Sequence, residues 1–181
     1  MTTDLPIQER VAVVDPSNRF ACAAPRWRMR RDNLIHRACY ILVFNSRGDL
    51  FVHLRTATKD VYPGFYDLAA GGVVLAGESY DAAARRELAE ELGVTEQPLT
   101  ALFDFFWENA HCRVWGRVYR CVYNGPMTLQ PEEVVSGRFM SLNAIQRDLP
   151  MDRITPDSLE AFRIYLERLA QSPPDGVLRR T

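Results

Sequence analysis

The sequence predicts an α/β fold in which a mixed β-sheet carries helices on both faces. Three observations predict it. Apolar and aromatic runs of strand length recur along the chain, several of them joined by short hairpin turns. Only two segments, 79–93 and 158–170, have the length and spacing of full helices. Hydrophobic residues make up 47 % of 181 positions, enough to cover both sides of a sheet in one domain. Residues 1–170 are expected to form that domain, with 1–35 as an N-terminal hairpin and short helix and 171–181 as a flexible tail.

Taken in order, Val11–Val14 reads as a strand, Asp15-Pro16-Ser17-Asn18 as a turn and Arg19–Ala23 as the returning strand. Pro25 suits the first position of a short helix ending at Arg31. Arg37–Phe44 and Leu50–Arg55 form a strand pair around the hairpin turn Asn45–Asp49. A second turn, Tyr62-Pro63-Gly64-Phe65, leads into a small-residue strand, Tyr66–Val74, interrupted by Gly71-Gly72. The strongest helix follows. Ser79 is its N-cap, Asp81 complements the positive end of its dipole, Ala82-Ala83-Ala84 propagates it and Gly93 ends it in a left-handed conformation. Leu99–Trp107 and Cys112–Tyr123 are long aromatic strands. Arg138–Leu142 is a short strand, Asn143–Asp148 a helical turn and Ser158–Ala170 the last helix.

Composition narrows the function. Lys and Arg number 22 and Asp and Glu 23, a net charge of −1. That balance excludes general attraction to nucleic acid or to anionic membranes. No apolar run reaches the roughly 18 residues of a membrane span. The polar start, Met1–Glu9, lacks a signal peptide. The four cysteines, at 22, 39, 112 and 121, have neither CxxC nor zinc-finger spacing and read as buried thiols. The expectation is a soluble cytoplasmic protein acting on a small molecule.

The chemistry concentrates between Gly72 and Val94. Gly72 is followed after five residues by Glu78, and after seven more by Arg86-Glu87-Leu88-Ala89-Glu90-Glu91-Leu92-Gly93-Val94. Seven positions of this pattern demand one residue type each, so chance agreement at one register is about one in 10^8. At about 100° per residue, Glu87, Glu90 and Glu91 fall within one arc of the helix. Ala84, Leu88 and Leu92 lie to one side and face the core. Three neighbouring carboxylates repel one another, and a hard divalent cation such as Mg²⁺ or Mn²⁺ reverses that. Such an ion clamps a diphosphate and acidifies a bound water.

This pattern, G-x5-E-x7-R-E-U-x-E-E-x-G-U with U apolar, is a complete Nudix box, and the chain resembles the Nudix hydrolase superfamily. Within it the chain looks like the branch that includes type 1 isopentenyl-diphosphate isomerase and the YfcD-type bacterial proteins. The resemblance implies an α/β/α sandwich with the box as a loop–helix–loop, and hydrolysis of a nucleoside diphosphate linked to another moiety. It implies that Glu87, Glu90 and Glu91 hold Mg²⁺, that Glu78 and Arg86 brace the loop, and that the backbone around Gly72 shapes the metal site. Arg55-x3-Lys59 before Tyr62-Pro63-Gly64 resembles the diphosphate-binding stretch of the isomerase branch. Glu108-Asn109-x-x-Cys112 resembles its acidic strand, with Ala110 in place of the second acid. Gly71 and Val73 stand where the isomerase has its catalytic cysteine and a metal-binding histidine, which disfavours isomerase chemistry.

Other features carry less. Glu132 or Glu133 is a candidate mobile general base, as is Glu87. Arg26, Arg28, Arg30 and Arg31 around Trp27 read as a solvated helix face. His36 reads as a satisfied strand-edge residue. Phe103, Phe105 and Trp107 share a strand face directed to the core, with Phe106 opposite. The reading is a metal-dependent diphosphohydrolase using Glu87, Glu90, Glu91 and Glu133, with Arg55 and Lys59 on the diphosphate. The rivals are an isomerase and a nucleotide-binding module without turnover.

Overall fold

In the computed structural model, which describes residues 9–171, a mixed sheet is covered by helices on both faces. The chain begins with β1 (Arg10–Val14) and β2 (Phe20–Pro25), an antiparallel hairpin. Its turn is held by Asp15, whose Oδ1 accepts from the backbone N–H groups of Ser17 and Arg19. Then come α1 (Arg26–Arg31), β3 (His36–Phe44), β4 (Leu50–Arg55) and the two-residue β5 (Tyr66–Asp67). The second half contributes α2 (Tyr80–Leu92), β6 (Thr100–Glu108), β7 (Arg113–Val122), β8 (Val134–Met140), α3 (Leu142–Asp148) and α4 (Pro156–Gln171).

β3 is the axis of the sheet. It runs parallel to β7 from the pair His36–Val114 to the pair Phe44–Val122, while β6–β7, β4–β8 and β1–β2 are antiparallel. All of β3 but Arg37 is buried, as expected of a strand covered on both sides. Its alternation sorts two cores. Ala38, Tyr40, Leu42 and Phe44 pack with Phe103, Phe105, Ile145 and Phe162, under α3 and α4. Cys39, Ile41 and Val43 pack with Ala83, Ala84, Leu88 and Leu92 of α2. Phe103 and Phe105 are core residues, as the strand pattern predicts, and Phe106 is exposed.

Several boundaries differ from expectation. Pro25 closes β2 and precedes α1 instead of starting it. β8 begins four residues before the expected Arg138, because Gly137 disguises a strand position. A Cβ there would come within 2.2 Å of the Phe51 ring that covers it. Gln171, assigned to the tail, is the last residue of α4, and residues 172–181 lie outside the described residues, as do 1–8 at the polar start. Cys22 is exposed, whereas Cys39, Cys112 and Cys121 are buried thiols. No described helix is long and apolar enough to cross a membrane.

The largest departure is Tyr66–Val74, which is a strand only at Tyr66–Asp67. Beyond it the segment still runs beside β3: Ile41 N–H donates to Ala70 O (2.7 Å), Cys39 N–H to Gly72 O (2.9 Å) and Val74 N–H to Arg37 O (2.9 Å). Between these bonds Gly71 turns out of the ladder at φ +144°, and its N–H donates to the Glu91 carboxylate instead (3.0 Å).

His36 and His53, each 2 % exposed, add a pH dependence to the fold. Burial, reinforced by nearby Arg30 and Arg26, pulls His36 down to about 4. Burial, opposed by Asp67, pulls His53 down to about 4. Between these values and the ordinary 6.5 the unfolded chain binds more protons than the folded one. Stability is therefore full above pH 6.5 and falls as the pH drops toward 4, by about 3 kcal/mol per histidine. Thermal melts across pH 4–7 are expected to show this slope, flattened in the double variant His36→Asn/His53→Gln. A melting temperature independent of pH in that window contradicts the assignment.

Candidate active site

The site is built where α2 crosses the Gly71-Gly72 turn. Ser79 caps the helix, its side chain accepting from Ala82 N–H (3.1 Å), and Gly93 ends it at φ +66°. Ala83, Ala84, Leu88 and Leu92 are buried against β3, and this docking fixes the rotation of the helix. The neighbouring arc then presents Glu87 and Glu91 to the glycine turn. Gly72 is the floor beneath Glu87, since a Cβ added there would lie 2.5 Å from Glu87 Oε1. Glu91 is 4 % exposed.

Arg86 ties the motif together. Its Nε and Nη2 form a fork on Glu78 (3.0 and 3.1 Å), and Glu78 in turn accepts from Leu75 N–H (3.0 Å). Its Nη1 donates to both Glu87 (2.8 Å) and Glu90 (3.1 Å), and its Nη2 also reaches Val73 O (3.3 Å). Burial works against ionisation of Glu78, but Arg86 and the Leu75 N–H outweigh it and hold the carboxyl below its ordinary range. The bonds to Glu78 hold Arg86 firmly charged.

The box acids behave differently. Burial pushes Glu87 up despite Arg86. Burial, with Glu87 and Asp67 nearby, pushes Glu91 up to about 8 against the pull of Gly71 N–H and Lys59. These are acids short of positive charge, the condition a hard cation relieves. Among the described residues no three His, Cys, Asp or Glu side chains already stand close enough to hold an ion between them, and Glu90 is drawn to Arg86 with half its side chain exposed. The donor set nonetheless fits an oxygen-seeking divalent ion in its chemistry.

Glu87, Glu90 and Glu91 line a cavity of about 220 Å³. Arg55, Lys59 and Glu133 line it too, so the residues singled out from the loops share one space with the helix acids. Their engagement refines the expectation. Arg55 Nη1 donates to Asp67 (3.1 Å) and its other nitrogens to the carbonyls of Val61 and Tyr62. Its fork braces the loop between β4 and β5. Lys59, the chain's sole lysine, is ion-paired with Glu133 and partly shielded from solvent.

Other candidates are dispersed. Glu132 is exposed, and Glu108 pairs with Arg113 (3.1 Å) on an exposed strand end. Asn109 caps the turn to Cys112, accepting from the N–H groups of His111 and Cys112. Arg26 and Arg30 correct the reading of α1 as a solvated face. Both line the cavity, with Asp60 at 3.9 and 3.4 Å, while Arg28 and Arg31 point outward and pair with Asp32. Their i, i+4 spacing was the available signal. His36 is no edge residue but a buried part of the cavity wall. Tyr40, Asp67 and Asp157 also line it, with no sequence motif to announce them. Gly71 holds its place for a steric reason: a Cβ there would lie 2.1 Å from Cys39 O. A cysteine has no room at that position.

Comparison with known proteins agrees with this geometry. The NUDIX domain family model matches residues 34–162. An uncharacterized Nudix hydrolase of Yersinia pestis is 42 % identical over 160 residues, covering 88 % of this chain and 87 % of its own. The uncharacterized Nudix hydrolase YfcD of Escherichia coli K12 is 40 % identical over 164 residues, covering 91 % and 90 %. Among solved structures, DR0079 from Deinococcus radiodurans superposes with a TM-score of 0.72 at 22 % identity, covering 86 % of this chain and 98 % of its own. The NUDIX domain of Shewanella oneidensis NrtR, solved with ADP ribose, gives 0.62 at 16 % identity, covering 86 % and 94 %. With that match across most of its length and an unbroken box, the chain belongs to the Nudix hydrolase family.

Proposed function

We propose that this Nudix enzyme hydrolyses the diphosphate linkage of a nucleoside-diphosphate-type substrate with the help of Mg²⁺ or Mn²⁺. The observation that carries the reading is the pair Glu87 and Glu91, two under-solvated carboxylates on one helix, facing the same cavity as Lys59 and Glu133. Held by Glu87, Glu90 and Glu91, the ion supplies charge neutralisation and Lewis acidity at the diphosphate. Lys59 adds a point charge for a phosphate oxygen, and Arg55 keeps the loop that carries Lys59 in place and adds to the local positive field. A water oxygen forms a bond to one phosphorus, the bridging P–O bond breaks, and the other phosphate leaves with the electron pair. Glu133 or Glu87 accepts the water proton, and Glu133 is freed from its ion pair when substrate draws Lys59 away. Arg86 and Glu78 hold Glu87 against the glycine turn throughout. Gly71 and Val73 offer no acid or base to an allylic carbon, which speaks against isomerisation. The ADP ribose bound by the Shewanella domain is a precedent for a nucleoside diphosphate derivative in this fold.

The test is a panel of nucleoside diphosphate derivatives, with isopentenyl diphosphate included, incubated with Mg²⁺, Mn²⁺ or a chelator and scored for monophosphate products. At least one nucleoside derivative is expected to be cleaved with metal and spared with chelator. Cleavage that ignores the chelator removes the metal from the mechanism. Tight binding of one member with no cleavage of any makes this a binding module instead.

A further inference from the structure

Among the described residues, two buried polar atoms on the cavity wall have no hydrogen-bond partner: Arg30 Nε and Asp157 Oδ1. Asp157 sits in the first turn of α4, and its other oxygen accepts from Tyr40 Oη (2.8 Å). Tyr40 comes from β3 and is 7 % exposed, so the carboxylate is oriented by a fixed core side chain. Arg30 Nε stands 3.4 Å from Asp60 Oδ2 in a geometry that makes no hydrogen bond. Cys112 connects the two groups. Burial and the Asp157 charge push its thiol up to about 12, and Arg30 pulls against them. Arg30, Tyr40, Cys112 and Asp157 line the same cavity as Glu87 and Glu91.

Buried polar atoms are nearly always paired, and leaving one unmet costs about a factor of ten in an equilibrium constant. An acceptor oxygen on a carboxylate clamped by a tyrosine and a guanidinium Nε, both unpaired on the wall of one cavity, ask for a group that both donates and accepts. Sugar hydroxyls and nucleobase amide edges do this, and a hydrocarbon chain does neither. We infer that Asp157, held by Tyr40, and Arg30 form a subsite that selects substrates whose diphosphate carries a hydroxyl- or amide-bearing group and rejects hydrocarbon ones. Asp157 and Arg30 are recognition residues, and Tyr40 is a positioning residue. A substrate bearing such a group gains both hydrogen bonds and one lacking it gains neither, and that difference makes the site selective. The inference rests on the reading of this cavity as a diphosphate site, and it concerns binding, not the chemical step.

The test is calorimetric titration of the full chain with ADP ribose, UDP-glucose and isopentenyl diphosphate, using Ca²⁺ in place of Mg²⁺ to suppress turnover. At least one of the first two ligands is expected to bind tenfold or more tighter than isopentenyl diphosphate. Asp157→Leu, close in size but apolar, is expected to erase most of that ratio, while Asp157→Asn, which keeps an acceptor oxygen, retains most of it. Tyr40→Phe keeps the Asp157 carboxylate but releases the bond that orients it, and is expected to lower the ratio about threefold; it decides the matter should Asp157→Leu not fold. Isopentenyl diphosphate binding as tightly as the better polar ligand, or an unchanged ratio in both Asp157→Leu and Tyr40→Phe, overturns the inference. Selective binding with no cleavage of any ligand under Mg²⁺ leaves it standing and sinks the hydrolytic reading alone.

Discussion

Glu91→Gln is expected to lower turnover by about 10²–10³-fold while leaving the fold intact, the loss typical of removing one charge-stabilising group. The structure separates these two effects. Glu91 is buried and receives the Gly71 N–H, and a glutamine oxygen at the same place keeps that bond. What glutamine lacks is the charge. Burial and the neighbouring Glu87 and Asp67 make that charge costly without a cation, so the metal-free variant is expected to melt no lower than the parent. Saturating Mg²⁺ distinguishes the two proteins further. An ion at 100 times its dissociation constant stabilises the parent by about 2.7 kcal/mol, and the variant is expected to gain much less. Calorimetric melts with and without Mg²⁺, beside initial rates, give the answer. A variant that turns over normally, or gains as much from Mg²⁺ as the parent, removes Glu91 from the metal site.

The second large effect divides between two adjacent glycines. At Gly71 an added Cβ meets backbone, Cys39 O at 2.1 Å, and the φ of +144° is one that L residues avoid. The obstacle belongs to β3, the axis of the sheet, and does not move without breaking ladder bonds. Gly71→Ala is therefore expected to cost about 3 kcal/mol or more, which for a domain of this size lowers the melting temperature by roughly 6–12 °C. At Gly72 the added Cβ meets the end of a flexible side chain, Glu87 Oε1 at 2.5 Å. Gly72→Ala is expected to move that carboxylate and cut turnover at least tenfold, with a much smaller loss of stability, since a 1 Å misplacement already costs about 10²-fold. Melts and rates on the two variants check the division. If Gly71→Ala melts within a degree or two of the parent, the close approach to Cys39 is not a constraint on the fold.

Much of the fold was legible because local chemistry and tertiary role agree. Ser79 and Gly93 bound the helix by capping, and the unbroken apolar run along 38–44 announces a strand covered on both faces. The segment 66–74 departs from its strand-like composition for the opposite reason. Its small apolar residues suit a strand, but Gly71 gives its N–H to a carboxylate twenty residues later, a bond no local pattern reveals. The first half of β8 is hidden in the sequence because Gly137 serves a ring on the neighbouring strand, not the propensity of its own.

The sequence by itself determined the box: which acids share a helix face and where that helix starts and stops, which follow from 3.6 residues per turn and from capping. That Glu78 and Arg86 brace the loop came from the family resemblance the box carries. Only the tertiary structure decided that Lys59 and Glu133 meet, that Arg55 is committed to Asp67, and that Arg26, Arg30, Tyr40 and Asp157 line the cavity of the box helix. Those neighbours come from α1, β3, the end of β4, α4 and two loops. Their convergence depends on the parallel pairing of β3 with β7 and on which sheet face each helix covers. Such contacts depend on through-space distance between segments far apart in the chain, and spacing along the chain carries no record of it.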